Sequence, residues 1–151
     1  MTRHVVVGQD SLVGPWVCQR AGGAWNPARG KTVGLFDTEK GLLAGVLFED
    51  WNGANVLMHV AAVPGRSWLN REFLWFCFHY PFEQLGVKRV TGLVPSSNQY
   101  ALKFDLNLGF SLEATLKDAH PDGDLLVLAM HKQDCRWLNL RGTSGFVETP
   151  A

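Results

Sequence analysis

The chain has 151 residues, 46% of them apolar and 19% charged, which is the composition of one globular domain with a sizeable core. Lys+Arg and Asp+Glu number 14 each, so the basic excess that phosphate neutralisation demands is missing, which counts against nucleic acid as the main partner. Three scattered cysteines, Cys18, Cys77 and Cys135, show neither a CxxC pair nor Cys/His ligand spacing, which argues against a structural zinc and suits reduced thiols.

From the N-terminus, Met1 to Asp10 carry no apolar signal core, and no run is long enough to span a bilayer, so a cytoplasmic protein with no membrane contact is expected. Val5 to Val7 read as a short strand ending at Gly8. Asp10 and Ser11 offer N-caps to a helix carrying Leu12, Val13, Trp16 and Val17, with Pro15 early enough to be tolerated. Ala21-Gly22-Gly23 ends it, and Asn26 to Gly30 reads as loop. Three strands follow, Thr32 to Phe36, Leu42 to Phe48 and Ala54 to Val63, with a hairpin at Asn52-Gly53, where both residues tolerate positive φ. The third is almost continuously apolar, as in a strand covered on both faces.

Pro64-Gly65 breaks that strand. From Ser67 the spacing turns helical, with Leu69, Phe73, Phe76 and Tyr80 on one face, until Pro81 ends or kinks the helix. Val87 to Val94 is a further strand. Asn98 caps a helix from Gln99 to Leu108 that Gly109 stops. Phe110 to Lys117 and Asp124 to His131 are the last strands, joined at His120-Pro121-Asp122-Gly123. One domain over 1–138 and a loose tail over 139–151 are expected. In this β-α-β-β-β-α-β-α-β-β order, Ala54 to Val94 is a parallel crossover, and the loop Pro64 to Trp68 beyond its first strand is the place for an anionic ligand.

The stretch Asn98-x-x-Ala101-x-x-Phe104-Asp105-x-x-x-Gly109-Phe110 resembles a helix of the GNAT (acetyl-CoA-dependent N-acetyltransferase) superfamily, commonly Asn-x-x-Ala-x-x-(apolar)-Tyr-x-x-x-Gly-Phe. The likeness spans roughly Lys31 to Lys132; a looser similarity to small phage-associated members has no motif of its own. It implies a GNAT-like α/β fold: a mixed, mostly antiparallel sheet of about seven strands, with helices on both faces and central strands splayed around a pantetheine arm. It further implies acetyl transfer from acetyl-CoA to an amine of a small molecule or protein by direct attack, with no metal. Carried over residue by residue, Ala61, Ala62, Val63, Gly65, Arg66, Ser67, Trp68, Leu69 and Asn70 line the phosphate side, while Asn98, Ala101 and Phe104 flank the arm.

Two departures stand against that pattern. The phosphate loop keeps Gly65 and Arg66, but Trp68 and Asn70 replace small residues. Asp105 occupies the place of a tyrosine taken to protonate the leaving thiolate. A carboxyl kept neutral by burial can donate that proton; a partly exposed Asp105 paired with Arg89 cannot, and would leave the task to water or Tyr100.

Among titratable groups, His59 is the leading general base, because an imidazole titrates near neutrality, against the plainer reading of a core histidine bonded to backbone. Glu49 and Asp50 are candidates for proton relay or for holding a cationic acceptor, against solvated hairpin charges. His120, Asp122 and Asp124 stand where an acceptor mouth would be, although a turn explains them. Trp68, Trp75, Phe76 and Phe78 read as core or as packing for a homodimer, and Trp51 as exposed. Gly-x-Ser-x-Gly is absent, which leaves a hydrolase without local support. The alternative to an enzyme is a non-catalytic module on the same fold, favoured by the two departures.

Overall fold

The computed structural model describes residues 2–65 and 70–140. One seven-stranded sheet runs in the order β1-β2-β3-β4-β5-β7-β6. Its strands are β1 (Arg3–Val7), β2 (Gly30–Asp37), β3 (Gly41–Glu49), β4 (Asn55–Ala62), β5 (Arg89–Pro95), β6 (Ser111–His120) and β7 (Gly123–His131). Every pairing is antiparallel except β4 with β5. The strands of the parallel pair are joined through a helix, α2 (Arg71–His79), as a parallel crossover requires.

Helices cover both faces, by different means. On one face α1 (Asp10–Ala21) lies close to the sheet because glycines let it. A Cβ at Gly45 would come within 2.7 Å of Val17 and 2.9 Å of Val13, and one at Gly34 within 2.9 Å of Val13. On the other face α2 fills space with bulk: Phe73, Trp75, Phe76 and Phe78 are each at most 2% exposed and pack with Val46, Phe48, Val90 and Leu128. The helix α3 (Gln99–Leu108) adds Ala101, Phe104 and Leu108 to the same core. Trp75 and its aromatic neighbours are therefore core in this chain.

Several local readings change. Asp10 does not cap α1; its carboxylate accepts from the backbone N–H and hydroxyl of Thr32, at 2.9 and 2.8 Å, tying the helix start to β2. Pro15 lies inside α1 rather than in its first turn, so the helix forgoes one internal hydrogen bond there. At the β3–β4 turn, positive φ falls on Asp50 and Gly53 rather than on Asn52, whose side chain accepts from the N–H groups of Ala54 and Asn55. Asn70, not a residue near Ser67, caps α2 by accepting from Phe73. At Pro81 the chain widens into a π-turn, Tyr80–Gln84. Asn98 and Gly109 behave as their types require: the Asn98 side chain accepts from the Ala101 N–H, and Gly109 takes φ 116°. Arg136–Leu140 forms a 3-10 turn, so the first residues of the expected tail are structured; 141–151 lie outside the described residues.

Candidate active site

β4 and β5 pair only as Asn55↔Arg89, Val56↔Val90 and Leu57↔Thr91. Beyond Leu57 the ladder stops and the strands part, opening a cavity of about 540 Å³ between them. Alternation along β4 sends His59 and Ala61 to the α1 side and Met58, Val60 and Ala62 to the α2 side, so the cavity is walled from both faces. This explains why β4 is only half-covered, not sealed on both faces as its apolar run suggests. Small residues keep the gap open: Ala61, Ala62, Gly92 and Ala101 all line it. α3 begins at its edge, contributing Asn98, Phe104 and Asp105, with Tyr100 76% exposed at the mouth.

On the α1 side, His59 Nε2 lies 3.0 Å from Glu49 Oε1. The hairpin register produces this pair, since Glu49 faces Leu57 and His59 follows two residues later on the same side. Both side chains are largely buried, at 28% and 15% exposed. The imidazole therefore bonds to a carboxylate and is not a backbone-bonded core histidine. A neutral ring that donates its Nε2–H to Glu49 keeps the lone pair of Nδ1 for another proton. Glu49 is likewise no solvated hairpin charge, whereas Asp50 points elsewhere and holds Arg29 in a two-pronged ion pair.

On the α2 side, Asp105 corrects the expectation of a pairing with Arg89. Arg89 grips Glu113 instead, with hydrogen bonds of 2.9 and 2.7 Å that reach across β7. Asp105 is half-buried against Gly92, and burial pushes its carboxyl up to about 7. Near neutrality a large fraction of it is a protonated, hydrogen-donating acid. Gly92 lies beside it: a Cβ there would meet Asp105 Oδ2 at 3.9 Å, an ordinary contact.

The remaining expected residues divide. Ala61, Ala62, Val63, Gly65, Asn98, Ala101 and Phe104 line the cavity. The Val63 N–H, expected to face a phosphate, instead donates to Leu43 at 2.8 Å, and the Asn70 side chain is engaged as a helix cap. Arg66, Ser67, Trp68 and Leu69 lie outside the described residues. His120, Asp122 and Asp124 serve the β6–β7 turn: His120 Nδ1 accepts from Asp122, Asp124 accepts from Asp118, and none lines the cavity. Gly92, Arg20 and Ala21 line the cavity without having been anticipated. Only Gly92 left a trace in the sequence, as a glycine inside a strand. Among the described residues no group of three His, Cys, Asp or Glu side chains could hold a metal ion.

No protein-family model matches the chain, and no curated protein sequence does. Solved structures do match. A mutant form of the spermidine/spermine N-acetyltransferase SpeG from Vibrio cholerae superposes with a TM-score of 0.69 at 12% identity, covering 87% of this chain and 96% of that one. The same organism's SpeG in complex with manganese ions gives 0.68 at 13% identity, with 85% and 92% covered. A mutant of its spermidine N-acetyltransferase SpeG gives 0.62 at 17% identity, with 76% and 70% covered. At such identities the likeness is one of fold, and that fold is the GNAT-like arrangement expected from the sequence.

Proposed function

We propose that the protein is an acetyl-CoA-dependent N-acetyltransferase that passes an acetyl group directly to the amine of an acceptor. The observation that carries the reading is the gap between β4 and β5, with a His–Glu pair on one side and a neutral-leaning carboxyl on the other. Direct transfer needs three things: a proton taken from the attacking nitrogen, a path for the thioester into the sheet, and a proton for the departing thiolate. His59 supplies the first, with Nδ1 as acceptor and Glu49 stabilising the imidazolium that forms. The small residues Ala61, Ala62, Gly92 and Ala101 leave width for a slender, flexible arm, so the cavity fits the donor. Asp105 supplies the last, its O–H proton going to sulfur as the C–S bond breaks and the new C–N bond forms. It thereby stands in for the tyrosine of the GNAT pattern.

The names of the superposed structures support an amine as acceptor, since they are polyamine N-acetyltransferases. Soluble, cytoplasmic placement is part of the same proposal; among the described residues no helix is long and apolar enough to cross a membrane. Isothermal titration with acetyl-CoA, with desulfo-CoA as control, tests the donor site. Micromolar binding followed by turnover on an amine panel is the expected result. Absence of binding at millimolar acetyl-CoA would overturn the assignment and leave a non-catalytic module on this fold.

A further inference from the structure

A second cavity, of about 470 Å³, opens at the opposite end of the sheet, and it shares no lining residue with the first. It lies where β2 and β4 begin and β3 ends, on the α2 side. Phe48, Val56 and Leu85 give it an apolar floor, and the ring of Tyr80 leans against Phe48 with centroids 5.2 Å apart. Tyr80 opens the π-turn, a rare backbone form that recurs at functional sites. Trp51 stands at the rim, 56% exposed, yet fixed by its indole N–H, which donates to the Leu85 carbonyl at 3.2 Å. A large aromatic side chain held rigid and left uncovered is the usual wall of a ligand site.

Apart from Asp50, the charged side chains that line this cavity are donors. Arg29 gives Nε and Nη2 to Asp50, at 2.9 and 2.6 Å, and keeps Nη1 for another partner. Asp50 adopts φ 59°, uncommon for a residue with a side chain, and thereby fixes that pair at the rim. The Lys31 ammonium has only a long contact, 3.7 Å, to Asp10, and is 67% exposed. The Tyr80 hydroxyl completes the set. Of the acids near it, Asp50 is held by Arg29, and Asp10, which acts on Tyr80, is held by Thr32 and faces Lys31, so a cationic ligand finds little to hold it. A bare inorganic anion would in turn leave the aromatic floor unused.

We propose that this cavity is a second ligand site, taking a small aromatic carboxylate. Its ring would lie between the Phe48–Tyr80 floor and Trp51, and its carboxylate would meet Arg29 Nη1 and Lys31 Nζ. The proposal does not depend on the acetyltransferase reading, and its test needs no turnover. In the full chain, 2-naphthoate is titrated while the Trp51 indole and Arg29 Nε–H resonances are followed by NMR. Saturable shifts at both are expected, with the Gly92 and Ala101 amides unmoved. 2-Naphthalenemethanol, which lacks the charge, should bind about tenfold more weakly, and Lys31→Met, an exposed change that leaves the core alone, should weaken naphthoate several-fold. Equal affinity for the alcohol, shifts confined to the first cavity, or no saturable shift at millimolar naphthoate would each overturn the proposal.

Discussion

The seam between β4 and β5 is built twice, from opposite materials. Its closed part, Asn55 to Leu57 against Arg89 to Thr91, is laced with polar groups: the Thr91 hydroxyl donates to Asn55 Oδ1 at 2.6 Å and accepts from Arg89 Nε at 3.2 Å, while Arg89 holds Glu113. Its open part has Ala61, Ala62 and Gly92 and no ladder. A gap in a sheet leaves backbone and side chains short of partners, so it persists only where something adjacent fixes the separation. Here the hydrogen-bonded network clamps one end of both strands, and the space beyond is kept clear by the absence of side chains. Polar clamping sits in one half of the seam and the proposed chemistry in the other.

That division is open to test, and the largest expected effect lies in the open half. His59→Ala should lower the turnover number by about 100- to 10,000-fold with acetyl-CoA affinity close to wild type, and should lower the melting temperature modestly because Glu49 loses its partner. Loss of affinity in parallel would mean that His59 shapes the cavity instead of moving a proton. Asp105→Asn comes next and reads out on stability. The unfolded carboxyl releases its proton near 3.8, the folded one only near about 7, so over that window the native state holds the extra proton. The buried carboxyl therefore does not weaken the fold below about pH 4, weakens it increasingly as pH rises through the window, and weakens it fully above pH 7. Urea melts of Asp105→Asn should match wild type at pH 4 and exceed it at pH 8 by up to roughly 4 kcal/mol, less in proportion to the water that reaches the group. The same variant should lose activity, since an amide cannot protonate a thiolate.

The closed half predicts a smaller effect of the other kind. Thr91→Val keeps shape but leaves Asn55 Oδ1 and Arg89 Nε each short of a partner, and should lower stability by about 1–2 kcal/mol in urea melts. Donor affinity should not change, because the ladder pairs still set the strand separation.

What the sequence made legible follows the same line between local and distant causes. The α3 helix could be read to the residue, because Asn98 and Gly109 act on backbone groups within a few positions of themselves. His59 and Glu49 were each singled out, but their pairing depends on hairpin register, and the turn alone does not say that both side chains lie on one face. Of the two readings of Asp105, the pairing with Arg89 fails because Glu113 reaches Arg89 across an intervening strand that arrives only later in the chain. Asp10 looked like a cap because its neighbours in sequence invite one, yet Thr32, 22 residues on, offered two donors in place of one. Gly92 drew no reading at all, because only the third dimension puts a carboxyl beside it.

Gly92 also gives the finest test of the divided seam. A methyl group there would meet Leu128 at 3.8 Å and Asp105 and Phe110 at 3.9 Å, which are ordinary contacts, and its φ is not in the positive range that disfavours alanine. Gly92→Ala should thus fold as well as wild type, or gain up to about 0.5 kcal/mol from a less flexible unfolded chain. The added methyl nonetheless takes space in the cavity next to the acid. The expected outcome is a several-fold rise in the acetyl-CoA dissociation constant with the melting temperature held or raised, the reverse of the Thr91→Val pattern. If the affinity is unmoved while His59→Ala still abolishes turnover, the donor does not pass between β4 and β5. The parted strands would then be a route for the acceptor, and Asp105 would lie too far from the thiolate to protonate it.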